Sequence, residues 1–188
     1  MDFTLTYHGP LKSNGSVADK HAIRGTIHRQ MQRLWQQPPL SHYRPPLSRL
    51  LEDDPESDIS LITRLGAFRF APLVSSKIFL VAELSITFLR PQAPGSLIKH
   101  GGDIDNRLKT LLDALRMPKV PSELPAAATP APGDDPYFCL LEDDTLVTSL
   151  SVRTDQLLEP VASPAEVQLL IHVRTKLTEG TMLNLGLG

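Results

Sequence analysis

The segment FTLTYH, residues 3–8, alternates apolar and polar positions as a strand with one buried face does, and the turn-rich GPLKSNG follows it. No proline occurs from Asp19 to Gln37, and Ile23, Ile27, Met31, Leu34 and Trp35 recur at three- and four-residue spacing. That period predicts a helix with Asp19 as its N-cap and with Met31, Leu34 and Trp35 in the core. IFLVAELSITFLR, 78–90, is β-branched and aromatic enough for a long strand, and NRLKTLLDALRM reads as a helix that stops before Pro118. TLVTSLSVRT and EVQLLIHVRT predict two more strands, the second carrying His172 as a structural residue among apolar neighbours.

Between these elements the composition changes. Residues 38–58 hold five prolines and an acidic close, with no regular structure expected before RLGAFRF, and 117–136 is a Pro/Ala tract with six prolines. The expectation is one α+β domain over 1–188: a small mixed sheet with two main helices in the order β-α-β-α-β-β, with 38–77 and 117–137 as inserted loops.

A chain of 188 residues, 41% hydrophobic, is long enough to bury a real core. Its single cysteine, Cys139, allows no internal disulfide and suits a reducing compartment. No apolar run approaches the roughly 20 residues of a membrane span, and MDFTLTYHGP lacks the features of a signal peptide, so a cytoplasmic protein is expected. The net charge of -2 hides an asymmetry: from Lys12 to Leu50 there are seven Lys or Arg against one acid, Asp19. Arg24, Arg29 and Arg33 fall on the polar face of the first helix, either as a solvated face or as phosphate contacts. With Lys12 and Asn14 in the preceding loop, and Lys99, they form the candidate nucleic-acid-binding set.

The stretch GGDIDNRLK, 101–109, concentrates the chemistry. In an extended segment Asp103 and Asp105 face the same side roughly 7 Å apart, so their carboxylates can converge on one cation. Mg²⁺ suits such a pair, because it takes few protein carboxylates and keeps both ionised. On the following helix, Ile104, Leu108, Leu111, Leu112 and Leu115 fall within an arc of about 100°, which predicts the docking face, with Asp105, Lys109 and Asp113 beside it. Lys109 is within side-chain reach of Asp105, whereas Asp113 is expected to pair with Lys109 at i,i+4. A third acid has two sources, LLEDDPESD at 50–58 and LLEDDTLV at 140–147. The second leads directly into a strand, and so Asp143 and Asp144 are preferred. The competing reading is purely structural: Asp and Asn cap helices, and EDD makes turns.

The run D103-I-D105-N106-R-L-K109-T-L-L-D113-A-L, followed by L141-E-D-D144-T-L-V, resembles the RusA-like Holliday junction resolvases. Their core reads D-x-D-N-x-x-K-x-x-x-D-A-L and then a DD before a strand. The resemblance touches about 120 of the 188 residues. It implies a homodimeric, Mg²⁺-dependent endonuclease cutting branched DNA in recombination or repair, with Mn²⁺ as a substitute ion. Asp103, Asp105 and Asp144 would be the metal-binding acids and Lys109 the catalytic lysine. The chain departs from the pattern in two ways. Its basic residues before the motif are thinned to Arg90, Lys99 and His100, and about 20 extra residues precede Asp143, enough to dock a protein partner. Two alternatives stay open: a nucleic-acid-binding or assembly subunit that has lost turnover, and a metal-dependent nucleotide phosphohydrolase.

Overall fold

The computed structural model describes residues 1–41, 49–54, 56–93 and 103–188. Among the described residues two main helices and two mixed sheets build one small α+β domain. In chain order the elements are β1 (Asp2–Pro10), α1 (Val17–Leu34), β2 (Thr63–Leu65), β3 (Phe68–Val74), β4 (Leu80–Arg90), α2 (Ile104–Leu115), β5 (Tyr137–Leu141), β6 (Val147–Gln156) and β7 (Glu166–Leu177).

The larger sheet has the order β1-β7-β4-β6, with β4 and β6 parallel and the other neighbours antiparallel. Its strands alternate as half-buried strands should: Leu80, Ala82, Leu84, Ile86 and Phe88 of β4 and Val167, Leu169, Ile171 and Val173 of β7 point into the core. The opposite face is solvated, and His172 lies on it beside Thr4 and Asp2. The helix α1 lays Ile23, Ile27, Met31 and Trp35 against the core, as the spacing predicts, and Trp35 stacks on Phe138 at 5.5 Å. Its N-cap, however, is Ser16. Ser16 and Asp19 form a reciprocal capping box, so Asp19 is the third helical residue rather than the cap. At the outer edge of β1, the Gln30 amide accepts from the Thr6 N–H and donates to the Thr6 carbonyl, replacing a neighbouring strand at that residue.

The second sheet, β2-β3-β5, corrects the expected order. Residues 38–77 are not simply an inserted loop, because β3 supplies Phe70, Ala71, Leu73 and Val74 to the interior, and Leu50, Leu61 and Ile62 are buried beside it. YFCLL is a strand buried on both faces. Such a strand shows a continuous apolar run with no alternation, which is why its period gives no signal. Phe138 and Leu140 face the main core, while Tyr137 and Cys139 join Phe68 and Phe70 in a smaller cluster. Met117, Leu124 and Ala128 of the Pro/Ala tract cover that cluster. The tract therefore roofs a small core, with one turn of 3₁₀ helix, Pro121–Glu123, as regular structure.

Arg24 joins these layers. It is buried, not part of a solvated basic face. Its Nε donates to the Arg116 carbonyl at 3.2 Å and its Nη2 to the Asp113 carbonyl at 2.8 Å, capping the C-terminus of α2 from α1. These carbonyls need such a donor: the Met117 N–H that would continue the helix is given instead to the Leu141 carbonyl of β5. Arg116 in turn holds Glu123 through two hydrogen bonds, 2.8 and 3.1 Å, tying the roof to the end of the helix. At the other end of the roof, the Nδ1 of buried His28 accepts the Phe138 N–H at 2.8 Å and its Nε2 faces Asp134 at 3.3 Å, while its ring stacks on Tyr137 at 4.1 Å.

This packing makes two measurable demands. Arg24→Met leaves helix carbonyls without a donor and lowers unfolding free energy by about 2–4 kcal/mol in urea titration, whereas Arg29→Met stays within about 0.5 kcal/mol. Burial lowers the His28 pKa from its ordinary 6.5, opposed in part by Asp134, so the fold prefers the neutral ring. Its contribution to stability is complete above pH 6.5 and falls as pH drops below that value. His28→Asn, which keeps an acceptor near Nδ1, should flatten the loss of urea midpoint between about pH 6.5 and 5.

Candidate functional site

Asp103 is extended, with φ -73° and ψ 152°, and occupies the N-cap position of α2. Asp105 is already helical, so the pair spans the junction between an extended residue and the first helical turn rather than lying in one extended segment. The Asp103 side chain accepts no capping hydrogen bond. Helix α1 shows the contrast, since its Ser16 and Asp19 are consumed by capping. The structural reading of D-x-D-N is met in position, since Asp103 is the N-cap residue and Asp105 lies in the first turn, but not in the capping hydrogen bond itself. Among the described residues neither Asp103 nor Asp105 has an ion-pair partner, and both are exposed, as is Lys109.

The docking face of α2 is rotated from the one its leucines predict. Arg107, Thr110, Leu111, Ala114 and Leu115 are buried, while Leu108 and Leu112 are partly buried and Ile104 is exposed. The cause is the contact with the loop that precedes α1: the Thr110 hydroxyl accepts the Gly15 N–H at 2.9 Å, which draws the polar Thr110 inward. At 100° per residue this rotation points Asp105 and Lys109 almost directly away from the docked stripe, about 6 Å apart along the axis. Asp113 is at the border. It pairs with Lys20 at 2.7 Å and with Arg116 at 3.3 Å, not with Lys109, because those cations are presented by α1 and by the end of α2.

The same contact brings the loop after β1 onto the middle of α2. A Cβ on Gly15 would lie 2.6 Å from Thr110 Cγ2, so only glycine permits this approach. Asn14, with φ +54°, and Lys12 are exposed on this loop, and Lys12 is tied to Asp19 at 2.9 Å. Arg29 and Arg33 are exposed on α1. Arg24 leaves the candidate nucleic-acid-binding set, since it is buried in the cap of α2, and Lys99 lies outside the described residues.

Asp143 and Asp144 follow β5 and open a 3₁₀ turn, Asp144–Leu146, that feeds β6. The two are not equivalent. Asp143 Oδ1 accepts from the Thr145 N–H at 2.9 Å and hydroxyl at 2.8 Å, and its Oδ2 is bound by Lys119, which holds its pKa well below the usual carboxylate range. Asp144 is exposed, and Lys119 Nζ stands 4.0 Å from its Oδ1. Asp143 is thus spent on the turn, whereas Asp144 is the more exposed of the two. Sequence reasoning misses Lys119, whose only signal is its place two residues after the end of the helical pattern. In the alternative acidic run, Asp53 pairs with Arg64 at 2.6 Å and with Arg69 at 2.8 Å.

Among the described residues no three His, Cys, Asp or Glu side chains are grouped so as to hold a metal ion, so the expected cluster of Asp103, Asp105 and Asp144 is not assembled here. The chemistry of the donors still fits a hard cation. Mg²⁺ commonly takes one or two carboxylates, with waters and substrate phosphate oxygens completing its shell. Asp103 and Asp105 offer free carboxylate oxygens, and at Asp143–Asp144 the ammonium of Lys119 already stands in for a cation.

No protein-family model, curated protein or solved structure matches the chain.

The Gly15–Thr110 contact gives a direct test of how the loop is set. Gly15→Ala should lower stability by about 1–3 kcal/mol through overpacking. Adding Thr110→Ser, which removes Cγ2 and keeps the acceptor oxygen, should recover most of that loss in a double-mutant cycle of urea midpoints.

Proposed function

We propose that the chain is a metal-dependent endonuclease acting on branched DNA, of the type its DxDN and DD motifs resemble. The observation that carries this reading is the state of Asp103 and Asp105. Two adjacent carboxylates at a helix start are left exposed and free of capping duty, with Lys109 one turn along on the same outward face. The same chain spends its other helix-associated acids, Asp19 and Asp113, on ion pairs.

Asp103 and Asp105 would hold the ion, with Asp144 as the third acid the resemblance implies, and the ion would supply Lewis acidity toward the scissile phosphate. Lys109 would place its ammonium against a phosphate oxygen, where negative charge grows as the bond to the leaving oxygen breaks. The N-terminus of α2 adds its positive end to the same region, which favours an anion there. Lys12 and Asn14, held against α2 through Gly15, would contact the strand on one side, and Arg29 and Arg33 would extend the basic surface along α1. A four-way junction needs two opposed cuts, and one chain carries one such constellation, so the working unit in this reading is a two-fold homodimer.

Asp105→Asn should abolish cleavage of a synthetic four-way junction in Mg²⁺, by at least about a hundredfold, while leaving junction binding equal or tighter because a negative charge near phosphate is gone. Binding without cleavage by the wild-type chain would instead identify a subunit that has lost turnover. Arg29→Ala with Arg33→Ala should reduce the slope of log affinity against log salt by about 0.9 for each phosphate that is no longer neutralised. An unchanged slope would remove α1 from the interface.

A further inference from the structure

We infer that β6 is a dimer edge, along which a second copy of the chain pairs antiparallel on a two-fold axis through Val152. The inference deepens the homodimer reading above and rests on it for the two-fold working unit, while the strand itself supplies the register.

β6 pairs with β4 on one side and, among the described residues, with no strand on the other. An edge is kept from pairing by proline, by lysine, or by charges turned inward. VTSLSVRTDQ has neither proline nor lysine, and Leu150, Val152 and Thr154, which share its inner face, carry no charge. Their partners on β4, Leu84, Ile86 and Phe88, are at most 2% exposed, whereas Leu150 is 42% exposed. The apolar layer of the sheet therefore stops at β6 without being covered.

The backbone sets the axis. The Leu157 N–H donates to the Arg90 carbonyl at 2.7 Å, so Leu157 turns its groups toward β4 and Gln156, next in the alternation, turns them outward. By the same alternation Leu150, Val152 and Thr154 present N–H and C=O outward. The run is closed at both ends. Asp155 Oδ1 takes the Gln156 N–H at 2.8 Å, and at Thr148 the ladder shifts register while the Thr148 hydroxyl donates to the Ala82 carbonyl. The open residues are thus symmetric about Val152. A two-fold axis there sets Val152 opposite its own counterpart and Leu150 opposite Thr154 of the second copy, and each pair exchanges both backbone bonds. On the inner face Val152 meets Val152, and Leu150 meets the methyl of Thr154. On the outer face Ser151 meets Arg153 and Ser149 meets Asp155, so no like charges are directly opposed. Because β6 follows the Asp143–Asp144 turn, the two copies of that turn lie at opposite ends of the joint pair.

The test is sedimentation of the full chain without DNA. At about 100 µM it should be a dimer that dissociates on dilution, since one strand pair falls short of the roughly 1,200–2,000 Å² of a standard interface. Leu150→Lys puts a charge into the inner seam, and Val152→Pro removes an N–H that the monomer does not use. Both should sediment as monomers, with urea midpoints that show them folded. Val152→Cys should cross-link to its counterpart under mild oxidation, because opposite Cα atoms lie about 5.5 Å apart, within reach of a disulfide. Cys139 is buried and stays silent. Ser149→Cys, roughly 20 Å from its counterpart in this register, should not cross-link. A wild-type chain that stays monomeric overturns the inference, as does a dimer that persists in both variants or cross-links equally well through Ser149→Cys. A monomeric chain that makes paired cuts in a junction refutes the interface and leaves the nuclease reading standing. Cross-linking through Val152→Cys in a chain that cuts no DNA supports the interface and refutes the nuclease reading.

Discussion

The guanidinium of Arg24 is the point through which the structure is joined. A helix that ends in the interior leaves carbonyls that water cannot reach, and the chain meets that demand with a donor from another helix rather than with a local turn. The donor is a planar fork that ties the end of α2 to α1. Beyond it the Met117 N–H goes to β5, and the Arg116 side chain holds Glu123. The cap therefore fixes where α2 ends, and with it the start of the segment that carries Lys119 to the second acidic turn.

That dependence explains what is legible in the sequence. The half-buried elements can be read: β1, β4 and β7 alternate because one face of their sheet meets water, and α1 shows its stripe for the same reason. β3 and β5 cannot, because both faces of each are covered and period carries no information there. The docking face of α2 is misread for a different reason. A stripe of leucines is the expected seam, but hydrogen bonds to Thr110 and the burial of Arg107 turn the helix toward polar partners. A rule that treats arginine and threonine as outward-facing cannot anticipate a polar seam.

The candidate site is subject to the same blindness. Position on the helix groups Arg24 with Arg29 and Arg33, yet charge alone does not separate an arginine that meets solvent from one that closes a helix end. The acids are more legible, since a D-x-D-N run and a D-D before a strand are local patterns, and both fall at the starts of elements as expected. Their division of labour is not. Asp143 and Asp144 are identical in composition and adjacent in sequence, and only Thr145 and Lys119 distinguish them.

The Gln30 amide on β1 has a consequence for assembly. A sheet presents two rows of unpaired backbone groups, one at each outer strand, and each row is a template on which another strand can add. Here β1 is one outer strand and β6 the other, and the side chain of Gln30 occupies both the donor and the acceptor of Thr6 in the middle of the first row. A strand adding along β1 would have to displace this amide first, whereas among the described hydrogen bonds the β6 margin of the same sheet has no side chain holding both groups of one residue. One glutamine thus makes the two margins of the sheet unequal as templates.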